Sequence, residues 1–195
     1  MYFPSNGSGK PYCRIDGRSG TFALSTAEGD PEVVEMRGQL LDVDMSRARQ
    51  GWLAFSAAGA DFVALETRDA WSGTPKPSPD HAPAVELDVS SPGWPEPRVR
   101  QLRASSRCVT SFVARIAEAA GEVPEDRAVR VRITGATVVK FGKGSSADIT
   151  FNVAPREKWP PRDVFDAEPV AAEAPKAAPA GAIDLDGLED ADAWT

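Results

Sequence analysis

Histidine occurs once in this sequence, at His81, and cysteine twice, at Cys13 and Cys108. That scarcity excludes most side-chain chemistry. A serine or cysteine nucleophile needs a base beside it, and the one histidine lies in a proline-rich stretch between Trp71 and Pro83. Structural zinc needs a ligand cluster such as Cys-x-x-Cys, which the sequence lacks. Two cysteines so far apart do not form the disulfide framework of a secreted scaffold. No apolar run approaches the length of a membrane span. Residues Met1 to Gly7 have neither the charged nor the apolar region of a signal peptide. Gly7-Ser8-Gly9-Lys10 runs into Pro11 and follows no strand, so it is not a phosphate loop. Asp42 and Asp44 read as strand carboxylates facing solvent rather than as cation ligands. The expectation is a reduced, cytoplasmic, non-enzymatic protein without metal, cofactor or membrane contact.

Hydrophobic residues make up 42% of the 195 positions, enough for a core, while 17 prolines and 16 glycines argue against a helical bundle. The formal charge is −7, but it is unevenly spread. Nine acids and a single lysine fall between Asp163 and Thr195, so that segment carries −8 and residues 1–162 carry +1. Alanine, proline and acids dominate after Trp159-Pro160-Pro161. Such a segment buries too little apolar surface to offset its ordering entropy. The division expected is a folded domain over 1–162 and a disordered acidic tail over 163–195. Ile183, Leu185, Leu188 and Trp194, set among acids, read as a partner-docking peptide.

In the body, Thr21–Leu24 reads as a short apolar strand. Glu32 to Val43 reads as one long strand bent at Gly38. A turn at Arg47–Gly51 returns it as a hairpin with Trp52–Ser56, and Asp61–Glu66 comes next. Val85, Leu87 and Val89 alternate with acids, as do Val99 and Leu102 with arginines. One helix is predicted from about 105 to 120, capped by Ser105 or Ser106 and closed by Gly121. Its stripe is Val109, Phe112, Val113, Ile116 and Ala120. Strands at 128–133, 137–141 and 148–153 surround a glycine-rich loop at 142–146. A mainly β fold results, best satisfied by an OB-like small β-barrel with one principal helix, because closure removes exposed edges.

Single-strand binders combine a basic groove with rings on which bases stack. The bases here fall in bursts, including Arg14 and Arg18, Arg47 and Arg49, and Arg98 through Arg107. Tyr12, Phe22, Trp52, Trp71, Trp94 and Phe141 interleave with them. Arg98 and Arg100 are expected on one strand face, as are Arg130 and Arg132. The candidate DNA contacts are Arg14, Arg18, Trp52, Trp71, Arg98, Arg100, Arg130, Arg132, Lys140 and Lys143, and the tethered acidic tail is expected to compete with DNA for them.

Several stretches together resemble the small single-stranded DNA-binding proteins of tailed bacteriophages and prophages. They are Lys10 through Phe22, Gly51-Trp52-Leu53 with Gly59-Ala60-Asp61-Phe62, the Pro/Ser loop at 75–79, the serine-led helix, and Gly135 through Phe151. The acidic tail with its near-terminal aromatic, Trp194, is similar to the tails of such proteins. Those end on phenylalanine, so Trp194-Thr195 departs from the pattern. The resemblance implies an OB fold and sequence-independent binding of single-stranded DNA in phage replication or recombination, with replication or recombination proteins as partners of the tail. A homodimer is one arrangement open to such a protein. The competing expectation is a non-enzymatic phage interaction or structural module without nucleic-acid binding.

Overall fold

The computed structural model describes residues 10–26, 30–56, 59–66, 73–141 and 144–166, with backbone alone for 141, 144 and 145. Among them are ten strands and one α-helix: β1 (Tyr12–Asp16), β2 (Thr21–Leu24), β3 (Glu32–Glu35), β4 (Leu40–Val43), β5 (Arg49–Ser56), β6 (Gly59–Ala64), β7 (Ala82–Ser90), β8 (Val99–Ala104), α1 (Arg107–Ala120), β9 (Val129–Phe141) and β10 (Gly144–Val153). The strands form one curled sheet in the order β10-β9-β4-β7-β8-β1-β2-β3, with β5 also on β7 and β6 on β5. The fold is mainly β, a half-barrel of OB-like form.

The predicted long strand is two strands. Gly38, at φ 85°, breaks the chain between β3 and β4. Nor do the two predicted hairpin arms pair. β4 and β5 both run antiparallel along the same edge of β7, Val43 opposite Val89 and Arg49 opposite Glu86. Between them the chain turns around Asp44, which is 0% exposed. Its Oδ1 accepts from Ser46 Oγ at 2.6 Å and from the Arg47 amide at 3.3 Å. Asp44 and the 4% exposed Asp42 therefore do not face solvent as expected; Arg130 grips Asp42, while Asp44 is held through Oδ1, its Oδ2 having no hydrogen-bond partner among the described residues and lying 3.7 Å from Arg47 Nε.

Taking β4 and β5 as one interrupted strand, the barrel's own sequence is β4/β5, β7, β8, α1, β9, β10. The helix sits between its third and fourth strands, as the OB plan requires. Closure departs from that plan. Among the described pairings β8 does not meet β10; β1 lies parallel to β8, with Cys13 opposite Leu102. The meander β1–β3 thus fills the gap by side-chain packing. Its turn abuts β10 so closely that a Cβ on Gly17 would stand 2.5 Å from Ala147 Cβ and 2.7 Å from Cys108 Sγ.

Alternation sorts the sheet. Val85, Leu87 and Val89 on β7 and Leu102 on β8 enter the core with Phe22, Leu24 and Ile133. The helix lays Val109, Phe112, Val113 and Ile116 onto it, with Ser106 as N-cap and Gly121, at φ 65°, as C-cap. Phe22 meets Trp94 edge-on at 5.2 Å, so Trp94 is a core residue. After β10 the chain stays on the body past residue 162. Trp159 is buried with its indole N–H donated to Ala154 O, and a 3-10 turn, Arg162–Phe165, buries Phe165.

Candidate nucleic-acid interface

The face of β7 turned away from the core carries Glu86, Asp88 and Ser90, because their neighbours Val85, Leu87 and Val89 must point inward. Register brings Arg49 of β5 and Arg103 of β8 to either side of Glu86. Both guanidiniums donate to its buried carboxylate. The Phe62 ring lies between them, 5.8 Å from Arg49 and 5.7 Å from Arg103. It reaches that place over Gly51, where a Cβ would stand 2.6 Å from the ring. Further along, Arg130 of β9 grips Asp42 with two bonds, Nε to Oδ1 at 2.7 Å and Nη2 to Oδ2 at 2.8 Å. Lys10 stands 3.8 Å from Asp88. Burial pushes the Asp88 carboxyl above its ordinary range, against the pull of Lys10.

Three clefts run along this face. An aromatic cleft of about 450 Å³ is lined by Tyr12, Arg14, Phe55, Ala60, Arg103 and Ser105, among others. A central one of about 440 Å³ includes Lys10, Arg47, Arg49, Glu86 and Asp88. A third, of about 510 Å³, is apolar at its base, with Pro11, Pro92, Pro97, Val99 and Phe165, and charged at its rim. Lys10, Asp88 and Gln101 line both the second and the third, and Glu86 of the central cleft holds Arg103 of the aromatic one. The second and third are continuous and the aromatic cleft adjoins them across the Glu86–Arg103 ion pair, so the three are together termed the trough. Seven partly exposed cations line it (Lys10, Arg14, Arg47, Arg49, Arg98, Arg103 and Arg130) against four carboxylates, Asp42, Glu86, Asp88 and Glu96. The aromatic end has Arg14 and Arg103 in its lining and no carboxylate there, Arg103 being paired with Glu86 of the central cleft.

The expected contacts divide. Arg14, Arg98 and Arg130 line the trough. Arg98 precedes β8 and pairs with Glu96 at 2.9 Å. Arg18 is exposed on the β1–β2 turn, Arg132 is exposed beside Gly38, and Lys140 is exposed far along β9. Two expectations are corrected. Trp52 is 5% exposed, packed inside β5, and offers no ring to a base. Arg100 is 1% exposed; it shares the inward face of Leu102 and donates to Ser25 O at 2.5 Å and Pro95 O at 3.3 Å. Arg98, just before β8, is exposed where Arg100 is buried, although both border the third cleft. Trp71, Lys143, Ile183, Leu185, Leu188 and Trp194 lie outside the described residues. Sequence reasoning missed Phe55, which is 60% exposed at the tip of the β5–β6 hairpin, and passed over Tyr12, Arg49 and Arg103.

His81 is buried rather than loose. Its Nδ1 lies 2.8 Å from Ser78 Oγ and its Nε2 3.3 Å from Asp61 Oδ2. These residue types suit nucleophilic catalysis, but the serine sits on Nδ1 from within the same tight turn, and none of the three lines the trough. The arrangement ties the segment before β7 to β6. Burial pushes both Cys13 and Cys108 thiols up, away from reactivity. Among the described residues no group of three or more His, Cys, Asp or Glu is placed to hold a metal, and no helix is long and apolar enough to cross a membrane. The chain matches no family model, no curated protein and no solved structure.

Proposed function

We propose that this protein binds single-stranded DNA without sequence preference along the trough, protecting it in phage or prophage replication or recombination. The observation that carries this reading is the aromatic cleft, where the rings of Tyr12 and Phe55 stand with Arg14 and with Arg103, the latter also held by Glu86 of the neighbouring cleft. Rings accept any base by stacking, and guanidiniums hold the backbone. Location supports it too. β7 and β8 are the second and third strands of the barrel, the face on which OB folds bind oligonucleotides, and Phe55 lies on the excursion that extends the first strand. Ser105 and Ser106 add hydroxyl donors at the same cleft.

The test is a fluorescence-anisotropy titration with labelled oligothymidine and with duplex of equal length. Binding should favour the single strand and weaken for Phe55→Ala and for Arg14→Glu. Equal or absent binding to both probes would end the reading.

One observation favours a second reading, a non-enzymatic interaction module without nucleic-acid binding. Most cations of the central and apolar clefts already have a carboxylate: Arg130 has Asp42, Lys10 has Asp88, Arg98 has Glu96 and Arg49 has Glu86. On that reading the proline-lined cleft is the working surface, and oligothymidine leaves it untouched.

A further inference from the structure

Arg49, Glu86 and Arg103 form one cross-strand row over β5, β7 and β8. Arg49 gives Nη2 to Oε1 of Glu86, and Arg103 gives Nε to Oε2, so each guanidinium has an oxygen of its own. The carboxylate is covered, with Glu86 3% exposed, whereas the Arg49 side chain is 55% exposed. What the row presents outward is therefore cation. The Phe62 ring lies within cation–π range of both guanidiniums and fills the space between them.

This row stands where two clefts meet. Arg103 lines the aromatic cleft, and Arg49 and Glu86 line the central one. A strand leaving the rings of Tyr12 and Phe55 for the central cleft crosses it. Glu86 then acts on that strand in two opposed ways. As an anion it repels phosphates. As a shared acceptor it fixes two long side chains that would otherwise be ordered anew at every binding event. Magnitude decides between them. One carboxylate covered by two cations, in a row whose formal charges sum to +1, weakens phosphate binding by about twofold. Ordering two arginine side chains afresh weakens it by about tenfold. Fixing the side chains wins by about fivefold.

We propose that Glu86 is a positioning residue for the strand: it sets Arg49 and Arg103 on either side of Phe62 to receive phosphates, so a carboxylate inside the DNA path strengthens binding. This assignment rests on the function proposed for the trough.

Oligothymidine titrations of the full chain test it with two substitutions. Glu86→Asp keeps the charge and withdraws the carboxylate by one methylene, too short to hold both guanidiniums; binding should weaken about tenfold. Glu86→Gln keeps the length and removes the charge; binding should weaken about fivefold, with no steeper dependence on salt. A carboxylate that merely repels would do the reverse. Glu86→Gln would tighten binding about twofold and steepen the salt slope, and Glu86→Asp would change nothing; that result would overturn the assignment. A double-mutant cycle separates positioning from support of the fold. In an Arg49→Gln background, Glu86→Asp should cost only about threefold, because one of the two side chains it holds is gone. A tenfold loss in both backgrounds would make Glu86 a structural residue and overturn the assignment. Should Glu86→Gln fail to fold, with Arg103 left unpaired, Glu86→Asp and the cycle decide alone. An unsubstituted protein that binds no oligothymidine would bring down function and assignment together. Binding that ignores Glu86→Asp would sustain the function and overturn the assignment.

Discussion

Trp52 and Phe55 lie three residues apart on β5 and have opposite surroundings. Trp52 is 5% exposed and Phe55 60%. Trp52→Ala should cost about 3–5 kcal/mol in a urea titration, the loss typical of a large buried ring. Phe55→Ala should leave stability within about 0.5 kcal/mol and instead cost about 1–3 kcal/mol of oligothymidine affinity. A Phe55→Ala variant that unfolds easily but binds normally would show the ring to be structural. Sequence alternation could not separate the two, because Phe55 shares parity with buried Leu53 and escapes the core only by sitting at the hairpin tip. Arg100 was legible in one respect, since it had to share the face of Leu102. Its solution was not: the guanidinium is satisfied by Ser25, 75 positions away. Asp88 gives a pH test at this scale. Burial raises its pKa above the unfolded value. Its ionised form therefore costs stability at neutral pH, and that cost fades as pH falls through the folded pKa. Asp88→Asn should raise the melting temperature at pH 7, with the gain shrinking on acidification. A loss at pH 7 would mean that the Lys10 pairing outweighs burial.

At the scale of elements, legibility tracked the range of the interactions. The helix was readable because everything that specifies it is local: the Ser106 cap, the apolar stripe and Gly121 all lie within one 16-residue window, and each occurs as expected. β1 was not readable. Tyr12–Asp16 has only two core residues, Cys13 and Ile15, and one of its partners is the parallel strand β8, almost ninety positions on. The strands at 128–133 and 137–141 fused into β9 because pairing with β10 carries the chain through Gly135, with a register shift at Thr150/Phe151. Gly17 marks where the meander meets that arm. Its replacement by alanine would drive a methyl into Ala147 and Cys108, at 2.5 and 2.7 Å. Gly17→Ala should therefore cost about 1–3 kcal/mol, as overpacking does. Adding Ala147→Gly should return part of it, a coupling measurable in a double-mutant cycle. Additive losses would show that the turn and β10 are energetically independent and that the barrel closes elsewhere.

For the whole molecule the deciding quantity is how many trough cations remain available to phosphates once their carboxylates are counted. If each paired cation were lost to its partner, only the aromatic end would attract DNA, and binding would scarcely respond to salt. If guanidiniums hold carboxylate and phosphate together, more sites contribute. Arg has five donors in a fixed fork, and Arg130 gives two of its own to Asp42. Each phosphate neutralised on a single strand adds about −0.7 to the slope of log K against log salt. Three to five contacts thus give a slope of roughly −2 to −3.5. Arg14→Ala should make it shallower by about 0.7. Arg130→Ala separates the two cases, because Arg130 is committed to Asp42 through both of those bonds. An unchanged slope would confine DNA to the aromatic end. A shallower slope, with the fold intact by circular dichroism, would extend the path across the barrel face to β9. A slope near zero for the unsubstituted protein would remove phosphates from the trough altogether and leave the proline-lined cleft as the surface to explain.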